Sequence, residues 1–100
     1  MLEEIMRALR ETKDVDTMIF LLKDLCDEAR KIIDRNTFSL REARDLSSGM
    51  REIRMSIREL ELINKRRNCD RRVRSLVFIE ECFHDLEVRT EKIIQSLKEH

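Results

Sequence analysis

The residues in this chain that could do chemistry are few, and most are badly spaced for catalysis. The densest charged feature is a basic block of Lys65, Arg66, Arg67, Arg71, Arg72 and Arg74, interrupted by the single acid Asp70. Guanidinium groups grip carboxylates and phosphates through paired N–H donors. Such a cluster can hold a phosphate, an anionic lipid headgroup or an acidic stretch of a partner. Asp70 stands four residues after Arg66 and four before Arg74, so most of the block lacks a partner nearby in sequence. A structural explanation competes: the block pairs with acidic segments elsewhere or forms a solvated loop. No Tyr, Trp or Phe interleaves it, which argues against stacking on single-stranded nucleic acid.

Glu81 and His84 form a carboxylate–imidazole pair at i, i+3, half of the pattern that builds di-iron sites in helical bundles. The second half is missing, because the other histidine, His100, has Leu97 three residues before it. Cys26, Cys69 and Cys82 are too widely spaced for a zinc motif and odd in number, as expected of reduced intracellular thiols. Ser39, Ser47, Ser48, Ser56, Ser75 and Ser96 have no nucleophile elbow and no histidine nearby in sequence. One glycine cannot build a phosphate-cradling loop. The expectation is a non-enzyme with no metal, cofactor or small-molecule substrate.

These side chains must be carried by helices. The 100 residues hold no proline and one glycine, Gly49, so backbone breakers are almost absent. Charged residues make up 42% and apolar ones 41%, which suits amphipathic helices with an aliphatic core, since the only aromatics are four Phe. The first 34 residues carry apolar side chains at Ile5, Leu9, Ile19, Leu22, Cys26, Ala29 and Ile33, the spacing of a helix over about 2–34. Asp14-Val15-Asp16-Thr17 interrupts that pattern with cap-type residues, a place to kink or restart. Asn36 suits a left-handed helix end, and Ser39 with Glu42 spells a capping box for a second helix over about 39–66.

That helix has the stripe Ala43, Leu46, Met50, Ile53, Ile57 and Leu60. Gly49 lies off the stripe, where a local bend or a close helix approach would explain it. The stripe then runs into Asn64, Arg67, Arg71 and Arg74 and loses its seam. Leu76, Ile79, Phe83, Leu86, Ile93 and Leu97 restart it in another phase. The change of phase places a turn at Asn68-Cys69-Asp70 and a third helix over about 70–99, capped by Asn68 or Asp70.

The expectation is therefore one all-α domain over residues 1–100. It is either three long amphipathic helices in an up-down-up antiparallel bundle or a helical hairpin that oligomerises in coiled-coil fashion. In outline this resembles three-helix bundles such as spectrin-type repeats and BAG-type chaperone regulators, the latter also in the basic start of the third helix. The spectrin-type tryptophan is absent, and no residue role is carried over from either family.

Met50, Met55, Leu62, Ile63 and Val88 fall at or beyond the edges of the stripes, a second apolar face for another helix to cover. The functional expectation is a protein–protein interaction module (an adaptor, scaffold or assembly subunit) that binds a partner helix or itself. The alternative is an anion-binding module that uses the 65–74 block on nucleic acid or acidic membrane. The acidic N-terminus and the lack of a long apolar run place the protein inside the cell, cytoplasmic or nuclear.

Overall fold

A computed structural model describes residues 2–99, and His100 lies outside them. The described residues form four α-helices: α1 (Leu2–Glu11), α2 (Val15–Arg35), α3 (Leu40–Arg66) and α4 (Asp70–Lys98). The first helix of the sequence reading is thus two. Asp14 is the cause, because its carboxylate accepts from the Thr17 backbone N–H at 3.1 Å and the Thr17 hydroxyl at 2.6 Å. Those bonds satisfy donors that a continuous helix would have bonded to carbonyls upstream.

The next break matches its local chemistry. Asn36 takes φ 48° and ψ 47°, and its N–H donates to the Ile33 carbonyl. The Ser39 hydroxyl accepts from the Glu42 N–H and the Glu42 carboxylate accepts from the Ser39 N–H, both at 3.2 Å. At the last turn Asn68 adopts φ 58° and closes the end of α3, its N–H donating to the Lys65 carbonyl, but it does not cap α4. Cys69 occupies the cap position of α4 without a side-chain bond, and Asp70 is already helical. Cys69, at φ −93° and ψ 68°, leads into α4, so neither Asn68 nor Asp70 stands where an N-cap acceptor must.

Ion pairs give the helix directions. Arg51 meets Glu87 at 3.3 Å and Arg58 meets Glu80 at 2.8 Å, so α3 and α4 are antiparallel. Asp16 pairs with Arg72, and Asp34 with Arg89, so α2 and α4 are parallel with residue n of α2 opposite n+56 or n+55 of α4. The Cα extents are 49 × 23 × 17 Å. The long dimension accommodates a 29-residue α4 at about 1.5 Å per residue, so the helices lie along it.

The core joins α2, α3 and α4 through Leu22, Leu25, Ile33, Met50, Ile57, Phe83 and their neighbours. Backbone contact is closest between α3 and α4, and α2 joins α4. Helices α2 and α3 stay further apart, and α1 lies against the opening with Ile5, Met6 and Leu9 half-buried. A cavity of about 390 Å³ remains beneath it, lined by Met6, Leu9, Leu22, Ile53, Ile57 and Leu60 among others.

Three expectations need correction here. Met50 is 2% exposed and belongs to the core, because its place in the α3 stripe turns it towards α4 and α2. Gly49 has no atom within 4 Å of where a Cβ would stand, so no close helix approach requires it. Asn64 is fully buried and extends the α3 stripe by one step instead of ending it. Its side-chain Nδ2 donates to the Leu60 carbonyl at 2.7 Å, and its backbone carbonyl accepts from the Cys69 N–H at 2.9 Å, which ties the α3–α4 turn, while its side-chain oxygen finds no partner.

Candidate protein-interaction surface

Surface exposure separates the residues expected to meet a partner. Met55, Leu62, Ile63 and Val88 are exposed, and Met50 is not. Met55 and Leu62 are seven residues apart and share one side of α3. Val88 is on α4 at the level of Met50 and Arg51, as the Arg51–Glu87 pair fixes. Charged residues occupy the space around them: Arg51, Arg58, Glu59 and Arg66 on α3, Glu81 and Glu91 on α4. The four are thus scattered apolar points on a charged surface rather than one apolar face.

The larger apolar feature was not anticipated. Phe20 on α2 is 65% exposed and Phe78 on α4 is 62% exposed, two of the four aromatic residues in the chain. Each lines a cleft between these two helices. Phe20 stands with Asp16, Lys23, Arg71, Arg72 and Ser75, and Phe78 with Lys23, Asp27, Arg30 and Cys82. Lys23 lines both clefts, so they lie next to one another along the groove between α2 and α4. In the parallel register Phe78 lies opposite Leu22, which puts the two rings about 3 Å apart along the axis. The sequence carried a signal for both. Met18–Leu22 and Leu76–Ile79 are runs of four or five apolar residues, and a helix cannot turn all of them inward at once.

Basic groups dominate this groove, with Lys23, Arg30, Arg71 and Arg72 against Asp16 and Asp27. Arg30 is held by Asp27 at 3.1 Å, and Arg72 grips Asp16 with both Nε and Nη2, at 3.1 and 3.2 Å. That grip raises the affinity of the Arg72 guanidinium for its proton. The Asp14 carboxyl is held below its ordinary range, first by the hydrogen bonds from Thr17 and less by the Arg72 charge. Lys65, Arg66, Arg67, Arg71 and Arg74 make no ion pair among the described residues, and Arg71 reaches the Phe20 end of the groove. The basic block thus divides into one structural arginine, Arg72, and five open cations.

The far side of α4 carries a different network. Glu87 is buried, with Arg51 at 3.3 Å from one oxygen and Arg54 at 3.4 Å from the other. Arg54 also donates to Nδ1 of His84, so the histidine is bonded into the α3–α4 clamp. One turn along, Glu61 faces Glu80. Burial raises the Glu61 carboxyl to about 7, and the neighbouring Glu80 carboxylate adds to the effect. Arg58 holds Glu80 at 2.8 Å.

Among the described residues no three His, Cys, Asp or Glu side chains converge as metal ligands. No helix there is long and apolar enough to cross a membrane. Family models, curated proteins and solved structures offer no match to this chain.

Proposed function

We propose that the chain is a non-catalytic helical interaction module whose α2–α4 groove docks an amphipathic helix of a partner or of a second copy. One observation carries the reading: Phe20 and Phe78 stand exposed at the same level of one groove. Aromatic side chains supply large contact area at low entropy cost and dominate interface energetics, whereas an isolated monomer gains little from leaving two in water. The surrounding Lys23 and Arg71 favour an occupant helix with large apolar residues and flanking carboxylates. A photo-crosslinking amino acid at position 20 or 78, placed in cells that make the protein, tests the reading. Discrete protein adducts support it, and their absence at both positions rejects it.

The five open cations favour a second reading, anion binding by the 65–74 block on nucleic acid or acidic membrane. Replacing Arg67, Arg71 and Arg74 with Ala leaves the Arg72–Asp16 pair intact. On this reading, the triple change weakens binding to anionic vesicles or oligonucleotides and flattens its salt dependence. Unchanged binding rejects it.

A further inference from the structure

The groove also brings together two thiols. Cys26 is buried on α2 and Cys82 half-buried on α4, and both line the cleft beside Phe78. The register set by Asp16–Arg72 and Asp34–Arg89, fifty-six and fifty-five positions, matches the separation of Cys26 and Cys82, so the two stand at the same level of α2 and α4. Both thiols line this one cleft, and Cys82 is among the groups that make the Cys26 proton harder to remove. Helices packed with axes about 8–10 Å apart bring facing Cα atoms to roughly 3–5 Å, which overlaps the low end of the separation a disulfide spans. Cys69 sits in the α3–α4 turn, where its thiol donates to the Arg67 carbonyl at 3.7 Å.

We propose that Cys26 and Cys82 are an oxidation site that closes into a disulfide stapling α2 to α4 when the folded protein meets a low-molecular-weight disulfide such as oxidised glutathione. Cys82, the thiol with solvent access, attacks first. Its thiolate displaces one glutathione thiolate and forms a mixed disulfide. Cys26 then gives its proton to solvent and attacks Sγ of Cys82, which expels the second glutathione thiolate. Two protein thiols are oxidised to one disulfide, and one glutathione disulfide is reduced to two thiols.

The environment of Cys26 sets the order and speed of these steps. Burial pushes its thiol to about 11, with Cys82 and Asp27 acting in the same direction and Arg30 against it. The Arg30 guanidinium is 3.9 Å from Cys26 Sγ, and Lys23 lines the same cleft. The second step is therefore the slow one and accelerates as pH rises. This inference stands apart from the partner reading, since it needs only the folded chain.

The test is a time course of the reduced, full-length protein with oxidised glutathione across a pH series, quenched in acid and mapped by non-reducing peptide mass spectrometry. The expected product is a Cys26–Cys82 peptide pair lacking two hydrogens, which forms faster at higher pH after a transient glutathione adduct on Cys82. Cys69→Ser leaves it unchanged and Cys82→Ser abolishes it. The oxidised protein melts higher, by on the order of 10 °C, because the bond constrains the unfolded chain. Persistence of the Cys82 adduct without closure would overturn the proposal. So would pairing through Cys69, or closure only in denaturant.

Discussion

Phe20, Phe78 and Phe83 provide a controlled comparison of one residue type at three positions. Phe83 is fully buried between α2, α3 and α4, and Phe20 and Phe78 are 65% and 62% exposed. Truncating a buried Phe to Ala removes its transfer energy and leaves a cavity, at a cost of about 3–5 kcal/mol. Burying a whole Phe side chain contributes about 1.5–3 kcal/mol, so a ring with a third of its surface covered contributes at most about 1 kcal/mol. Neither exposed ring leaves a closed cavity when it is removed. Phe20→Ala and Phe78→Ala are therefore expected to lower stability by about 1 kcal/mol or less each, and Phe83→Ala by at least about 3 kcal/mol. A domain with about 5–15 kcal/mol of stability resolves that difference easily. Urea unfolding followed by far-UV circular dichroism measures all three, with the urea slope as a check that the unfolded reference is unchanged. If either exposed Phe costs about as much as Phe83, it is a structural element and the groove reading loses its basis.

Other outcomes follow from the same geometry. Gly49→Ala fills open space in an unbroken helix, so it should stabilise by about 0.5–1 kcal/mol and raise the thermal midpoint by several degrees in calorimetry. Ser39→Ala removes one half of the capping box and should cost about 1 kcal/mol in urea unfolding, with Ser39→Gly costing less. Glu61 holds its proton more tightly folded than unfolded, so its contribution is present below its ordinary value of 4.5 and is lost as pH rises through about 7. Glu61→Gln should therefore gain stability relative to the wild type between pH 5 and pH 8, by about 1 kcal/mol once screening by water is allowed for. A difference that does not change with pH would contradict the raised Glu61 carboxyl.

Features written by local chemistry were legible in the sequence. The Asn36 helix end and the Ser39–Glu42 box depend on neighbours within three residues, and the structure contains both. The helix class itself followed from periodicity and the scarcity of breakers. The Asp14 cap was visible as an interruption, but apolar spacing continued across it and concealed a full break. Asn64 was misread because a polar residue in a stripe looks like the end of a seam. The structure shows why it is tolerated inside: its side-chain amide bonds the Leu60 carbonyl one turn back, and only its backbone carbonyl meets the turn at Cys69. Met50 failed as a surface residue for the opposite reason, since the stripe position outweighed its place near an edge. Phe20 and Phe78 depend on which helix stands beside which. The α2–α4 parallel register is set by ion pairs about 55 residues apart in sequence, and no local pattern encodes them.

The central claim, that the α2–α4 groove is the docking surface, is tested most directly by photo-crosslinking at four positions in cells that make the protein. Positions 20 and 78 probe the groove, position 55 probes the scattered α3 residues, and exposed Ser48 serves as a polar control. Docking in the groove gives the same discrete protein adduct, or the same dimer, from 20 and 78 and neither from 48. Adducts at 55 with none at 20 and 78, or equal labelling at all four positions, would contradict it.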